Sequence, residues 1–235
     1  MADERSPVNP EDLERLAARA VALVQDGARV GLGSGRAAAA FVRALGSRVR
    51  QGLSVLGVPT SEATAALARE VGVPLVGLDH APLDLTVDGA DEVDPDLDMI
   101  KGYGGALVRE RIVAAASRRQ VILVTPEKLV ARLGARGRLP VEVVPFARPL
   151  GEARLQALGC RPRLRVEAGR PFVTDNGNLI LDCAIQPLDD PPGLERDIRR
   201  IPGVVDTGLF LGTADTVLVA EPGAVRTLRP RRSPG

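Results

Sequence analysis

The feature that most constrains this chain is a recurring order: a short apolar run, a turn of small residues, then a segment whose apolar residues recur at helical spacing. Ala28-Arg29-Val30-Gly31-Leu32-Gly33 reads as a buried strand running into a glycine turn, and Ala37 to Leu45 as the helix that follows. The order repeats with a strand around Leu53 to Val58 and a helix capped by Ser61. It continues with strands near Leu75 and Leu85, a helix over Ala106–Ser117 and a strand at Val121–Val124. Upstream, Asn9 caps and Pro10 opens an amphipathic helix with Leu13, Leu16, Ala17, Ala20, Val21 and Val24 on one stripe. Buried strands alternating with helices require a mostly parallel sheet covered on both faces. The expected class is α/β, with a Rossmann-like sheet flanked by helices.

From about Gly137 the texture changes. Val141–Val144 reads as a strand, Leu150–Leu158 as a helix, and Leu164–Val166, Phe172–Thr174 and Leu179–Leu181 as extended runs. Asp175-Asn176-Gly177-Asn178 between the last two is a hairpin turn, and Pro192–Ile201 is a further helix. This predicts a small inserted α+β domain over 137–207. Strands at Gly208–Leu211 and Thr216–Val219 are expected to rejoin the edge or interior of the first sheet, giving a catalytic domain of 1–136 and 208–235. Arg229–Gly235, rich in proline and arginine, is expected to fray.

The charge balance narrows the function. Lys and Arg total 31 against 30 Asp and Glu, so the molecule's field offers nucleic acid or anionic lipid no general attraction. No run approaches the ~20 apolar residues of a spanning helix, and the polar start MADERSPVNPEDLER has no hydrophobic signal segment. The protein is expected in the cytoplasm, with neither nucleic acid nor membrane as partner. Cys160 and Cys183 have no metal-ligand spacing and read as small core residues. Of the 31 cationic side chains only Lys101 and Lys128 are lysine. A compact ammonium in so arginine-rich a chain marks either chance or a site built for a point charge.

Three segments carry chemistry. Gly31-Leu32-Gly33-Ser34-Gly35-Arg36 lies between a strand and a helix, where backbone N–H groups and the helix dipole hold anions, phosphate being the natural guest. A tight turn without ligand is the plain alternative. A dinucleotide site would want another glycine spacing and an acid where Val58-Pro59-Thr60 stands. Next, Asp84 to Asp94 is a strand ending in closely spaced acids, at the end of an α/β strand where ligands bind. Asp88 and Asp91 are the site candidates. The remaining acids, with Asp94, Asp96 and Asp98 in a Pro- and Asp-rich loop, suit a divalent cation or, better, a solvated surface turn. Last, Lys101-Gly102-Tyr103-Gly104-Gly105 opens a helix whose Glu110, about one turn in, leans back toward the lysine. The plain reading of Glu110 is a first-turn acid on the helix dipole; the convergence of lysine, glycine turn and acid favours a site.

Together these segments resemble the ribose-5-phosphate isomerase A family from about Val21 to Leu228. The likeness is carried by Gly31–Gly35, Pro59–Glu62, Val87–Glu92, Ile100–Gly102, Gly104–Leu107, Arg109-Glu110, Leu139–Pro145, Val173–Asn178 and Ile201–Val205, in that order and spacing. It implies an aldose–ketose isomerase of the non-oxidative pentose phosphate pathway, interconverting ribose 5-phosphate and ribulose 5-phosphate through an enediol without metal or other cofactor. It makes Glu110 the base that moves the proton between C2 and C1. It assigns Asp88, Asp91 and Lys101 to substrate hydroxyls and the developing oxyanion, and adds Lys128. The implied substrate-binding set is Gly33, Ser34, Gly35, Arg36, Ala37, Asp88, Gly89, Ala90, Asp91, Lys101, Gly102, Tyr103, Gly104 and Lys128. A homodimer or homotetramer is implied as well. On this reading the lone histidine, His80, is an exposed loop residue without a role.

The chain departs from the family pattern at Arg36 and Ala37, where the first turn usually carries hydroxyls; at Tyr103, where glycine is common; and at Thr125, where an acid often precedes the second lysine. Two other functions are weighed. A non-catalytic sugar-phosphate sensor would need a DNA-reading module, and residues 1–27 offer one helix rather than a helix-turn-helix. An acyl or coenzyme A transferase with a glutamate nucleophile rests on analogy of fold alone.

Overall fold

The computed structural model describes residues 9–230; most of the tail expected to fray lies outside them. The chain runs α1 (Pro10–Val21), β1 (Ala28–Leu32), α2 (Arg36–Arg50), β2 (Val55–Pro59), α3 (Glu62–Glu70), β3 (Leu85–Gly89), β4 (Glu92–Val93), β5 (Met99–Ile100), α4 (Leu107–Ala115) and β6 (Gln120–Val124). Then follow β7 (Arg138–Val143), α5 (Arg148–Ala157), β8 (Arg161–Leu164), β9 (Val166–Glu167), β10 (Arg170–Pro171) and β11 (Leu179–Ala184). The chain closes with α6 (Pro191–Arg199), β12 (Val204–Thr207), β13 (Leu209–Phe210), β14 (Thr216–Glu221) and β15 (Ala224–Leu228).

These elements form two compact units: 1–89 with 113–127 and 214–235, and 90–112 with 128–213. Residues 137–207, expected as a separate domain, lie in the second unit, which also takes in 90–112, 128–136 and 208–213.

The first unit holds a six-stranded sheet in the order β15-β14-β6-β3-β1-β2. All its neighbours are parallel except the β14–β15 pair. Register sorts its side chains onto two faces. Val30 and Leu32 of β1 stand beside Leu85 and Val87 of β3, which puts them on one face. There they pack with Leu16 and Ala20 of α1 and with Phe41, Val42 and Leu45 of α2 in one core cluster. Gly31 and Thr86 point to the other face, where a Cβ on Gly31 would lie 2.4 Å from Thr86 Oγ1 and 2.5 Å from Val113 Cγ1 of α4. Glycine at 31 therefore lets α4 sit close against the strands. The mostly parallel sheet flanked by helices is as expected. α1 begins as its sequence requires, with Asn9 Oδ1 accepting from the Glu11 amide at 3.1 Å.

The strands of the second unit pair antiparallel, with one isolated parallel bridge between Val93 and Leu129. A four-stranded sheet, β12-β7-β11-β8, packs Val141, Val143, Leu181 and Cys183 on Leu155 and Ile198. Both cysteines are buried core residues. The strand around Leu209 does not join the parallel sheet as expected. It pairs antiparallel with β5, Leu209 opposite Ile100 and Phe210 opposite Met99, in a three-stranded sheet β13-β5-β4. The reason is local: the Gly208 amide donates to the Pro140 carbonyl, and the Gly208 carbonyl accepts from the Lys101 amide at 2.9 Å. A Cβ at 208 would meet the Lys101 carbonyl at 2.4 Å. Near Leu75 only an isolated bridge to Gly57 forms, and β15 follows where no strand was expected.

Candidate active site

In the first unit, β1 ends at Leu32 and the Gly33 amide donates to the Val87 carbonyl at 2.9 Å. A Cβ on Gly33 would lie 2.2 Å from Asp88 Oδ1 and 2.5 Å from Asp88 Cα, so only glycine fits there. Asp88 is buried at the end of β3, and its Oδ1 accepts from the amides of Ser34 at 3.0 Å and Gly89 at 2.7 Å. One carboxylate thus shapes the whole turn.

The Ser34 hydroxyl lies 2.8 Å from both Thr60 Oγ1 and Ser61 Oγ and 3.2 Å from Thr64 Oγ1. Thr64 in turn donates to the Gly33 carbonyl at 3.0 Å, and Ser61 caps α3. These hydroxyls anchor the turn from a neighbouring strand end. The sequence marks Ser61 as a helix cap, but no local pattern in it brings Thr60 and Ser61 around Ser34. Gly35, at φ +94°, starts α2 with no side chain capping its first amides. Arg36 is exposed and Ala37 half-buried on the first turn. Uncapped amides at the start of a fifteen-residue helix favour an anion.

In the second unit, β4 and β5 carry the chain from Asp91 to Lys101. Lys101 is 1% exposed and Glu110 6% exposed, and their Nζ and Oε2 lie 3.4 Å apart. Glu110 stands on the first turn of α4, its amide bonded to the Ala106 carbonyl. A buried carboxylate and a buried ammonium are tolerable only as counter-charges. The Lys101 ammonium also lies 5.5 Å from the centroid of the Phe210 ring, within cation–π range. Arg111 covers the same ring at 4.2 Å, bonds Asp206 and donates to the Thr207 carbonyl at 2.9 Å. Arg109 holds the predicted hairpin turn, donating to Asn176 Oδ1 and the Asp175 carbonyl, both at 3.0 Å. Buried Glu142 accepts there from Thr174, Asn176 and Asn178.

Asp91 is half-buried. Its Oδ2 accepts from the Tyr103 amide at 2.9 Å, and its Oδ1 lies 3.8 Å from Lys128 Nζ. The Lys101 turn needs glycine at two places. Gly102, at φ +99°, would press a Cβ to 2.9 Å from Leu107, and Gly105, at φ +88°, would drive one to 2.5 Å from Phe172. Gly104 is exposed. Tyr103 is accommodated because its hydroxyl donates to the Arg138 carbonyl at 3.1 Å and its ring carries the Arg138 guanidinium at 4.7 Å. Burial, then the charges of Glu92 and Asp91, push its phenol well above the usual range, so it stays protonated. Thr125, one of the departures from the family pattern, donates to Glu127 two residues on.

The acids after Asp91 are not all surface. Glu92 is 0% exposed, its two oxygens accepting from the amides of Gly134 at 2.6 Å and Arg136 at 2.8 Å. It anchors the 134–136 turn, and burial raises its carboxyl above the ordinary value in spite of those amides. Asp94 Oδ1 accepts from the amides of Asp96 and Asp98, which gives it the turn role. His80 is exposed.

The second unit thus holds a buried Lys–Glu pair beside a glycine turn, and a Lys–Asp pair whose carboxylate accepts from that turn's backbone. The family model of ribose 5-phosphate isomerase A (phosphoriboisomerase A) matches residues 56–224. The chain belongs to that family. The ribose-5-phosphate isomerase A of Roseiflexus castenholzii is 52% identical over 215 residues, covering 90% of this chain and 92% of its own. That of Thermomicrobium roseum is 52% identical over 223 residues, 94% of each chain. Among solved structures, ribose 5-phosphate isomerase A from Methanocaldococcus jannaschii superposes with a TM-score of 0.90 at 41% identity, over 94% of this chain and 100% of that one. A D-ribose-5-phosphate isomerase in complex with phospho-erythronic acid superposes with a TM-score of 0.89 at 36% identity, over 94% and 100%. Among the described residues, no helix is long and apolar enough to cross a membrane.

Proposed function

We propose that this family member interconverts ribose 5-phosphate and ribulose 5-phosphate, with Glu110 as the base. The observation that carries the reading is the buried Lys101–Glu110 pair, 3.4 Å apart on the turn that opens α4. Isomerisation removes a proton from C2, whose C–H electrons form the C1–C2 double bond while charge moves to the carbonyl oxygen. The proton is then delivered to C1, where the electrons of the C1–C2 double bond take it up, while the 2-hydroxyl proton passes to the oxygen on C1, leaving a carbonyl at C2 and a hydroxyl at C1. A carboxylate must therefore take and return one proton, and a fixed positive charge must meet the oxygen as it becomes negative. Glu110 fills the first role and Lys101 the second. Asp88 and Asp91 hold substrate hydroxyls, with Lys128 beside Asp91, and the phosphate takes the uncapped amides of the Gly33–Ala37 turn. The complex of a related isomerase with phospho-erythronic acid supports a sugar-phosphate ligand. We also assign the protein to the cytoplasm as a homodimer or homotetramer, as the family likeness implies.

The test is a coupled assay on ribose 5-phosphate and other pentose and hexose phosphates, with chelator present. Turnover is expected on ribose 5-phosphate, and Glu110→Gln is expected to fold but lose about 10²–10⁴-fold in kcat. Retained turnover in Glu110→Gln overturns the assignment of the base.

A further inference from the structure

The Lys101 turn is gripped from the second unit's own sheet. Arg165, between β8 and β9, sends Nη1 to the carbonyls of Gly102 and Tyr103, each at 3.1 Å. The Gly102 carbonyl and the Tyr103 amide belong to one peptide group, and that amide donates to Asp91 Oδ2 at 2.9 Å. A single peptide plane is thus held at its oxygen by a guanidinium and at its N–H by Asp91. Drawing electron density toward the oxygen strengthens the N–H as a donor, so the grip on one end tightens the other.

Arg165 is itself fixed. Its Nε and Nη2 donate to the two oxygens of Asp182 at 2.9 and 2.6 Å, a forked charge-assisted pair. Arg138 forks onto the same carboxylate at 2.9 and 2.8 Å and stacks on Tyr103. The Arg165 guanidinium lies 5.6 Å from the Phe172 ring, the ring that closes on Gly105. The side chain is 10% exposed and so has little freedom to leave.

We propose that Arg165 is a positioning residue for the reaction: through the Gly102–Tyr103 peptide it fixes Asp91 and the Lys101 turn in their working orientation. This rests on the reading of Lys101 and Asp91 as substrate-binding groups. Arginine is required because lysine, with one ammonium, cannot serve both carboxylate oxygens and two carbonyls at once. A groove of about 400 Å³ lined by Arg138, Arg163, Arg165 and Asp182 adjoins the contact.

The experiment compares Arg165→Ala, Arg165→Lys, Arg163→Ala and Glu110→Gln in the full-length protein, with circular dichroism to establish folding. Small displacements of reacting groups are costly, so kcat of Arg165→Ala should fall about 10- to 100-fold, more than KM rises. Guanidinium ion, added well below denaturing concentration, should restore part of that kcat and none of the activity of Glu110→Gln. Arg163→Ala, in the same groove without a contact to the turn, should match the parent. Should Arg165→Ala fail to fold, Arg165→Lys carries the test, because it keeps the charge against Asp182 and loses the fork. A kcat within about twofold of the parent in a folded Arg165 variant overturns the proposal, since a displaced turn cannot be that cheap. If that occurs while Glu110→Gln is inactive, the positioning role fails alone. If Glu110→Gln is active, the underlying reading fails instead.

Discussion

Two glycine turns open helices in this chain, and they are built on different electrostatic plans. The Gly33–Gly35 turn is held by neutral hydroxyls, Ser34 meeting Thr60, Ser61 and Thr64, with one carboxylate, Asp88, accepting two amides. The Lys101–Gly105 turn is held by charge: Lys101 against Glu110, Lys128 against Asp91, and Arg165 locked to Asp182. Backbone donors at a helix start need only be left open to serve an anion. Buried charges, by contrast, must each be compensated. The second turn therefore draws on residues far along the chain, Arg165 just after β8 and Asp182 on β11.

Replacing the point charge tests this contrast hardest. Lys101→Arg keeps the charge but not its size, in a space where the parent residue is 1% exposed. We expect kcat to fall about 10²–10³-fold, as when one stabilising donor is lost from a developing oxyanion, with ribose 5-phosphate turnover as the measure. Full activity would show that the charged turn needs only a cation. Gly33→Ala attacks the neutral turn through shape instead. Its Cβ must displace Asp88, and overpacking of this kind costs about 1–3 kcal/mol, read by denaturant unfolding together with a raised KM. Gly104→Ala, with nothing within 4 Å of its Cβ, should unfold like the parent. Ser34→Ala should be milder, removing hydrogen bonds worth about 0.5–1.5 kcal/mol in total; a larger loss than in Gly33→Ala would mean that the hydroxyls, not the close approach to Asp88, set the turn.

The neutral turn and its sheet were largely legible in the sequence because their signals are local. A buried strand, a glycine turn and a helical stripe lie within some twenty consecutive residues, and β1, α2, β2 and α3 form close to where the pattern puts them. The charged turn was legible only in its own residues, Lys101, Asp91 and Glu110. Arg165 and Asp182 are more than fifty residues away in sequence, and no local pattern marks an arginine that will grip a distant carbonyl. Leu209–Phe210 was placed in the wrong sheet for the same reason: a two-residue strand has too little pattern to choose its partner, and the contact of Gly208 with Lys101 decides it. Glu92 read as one more surface acid because its burial depends on amides at 134 and 136.

The mildest prediction is silent at neutral pH and separates two buried carboxylates of the second unit by sign. For Asp182, burial works against the charged form, but the hydrogen bonds from Arg165 and Arg138 outweigh it and hold the carboxyl below its ordinary 3.8. Its contribution to stability is complete above 3.8 and is lost as pH falls through the lowered value. Glu92 behaves oppositely. Its carboxyl is raised above 4.5 by burial, so folding gains as pH falls through the raised value and the gain is complete below 4.5. Thermal unfolding followed downward from neutral pH should therefore show a gain approaching 4.5, then a loss below 3.8. Glu92→Gln should flatten the first slope and Asp182→Asn the second, whatever each does to absolute stability. If Asp182→Asn leaves the acid slope below 3.8 unchanged, the carboxylate that anchors Arg165 is not what acid removes, and the charged turn owes its support to other groups.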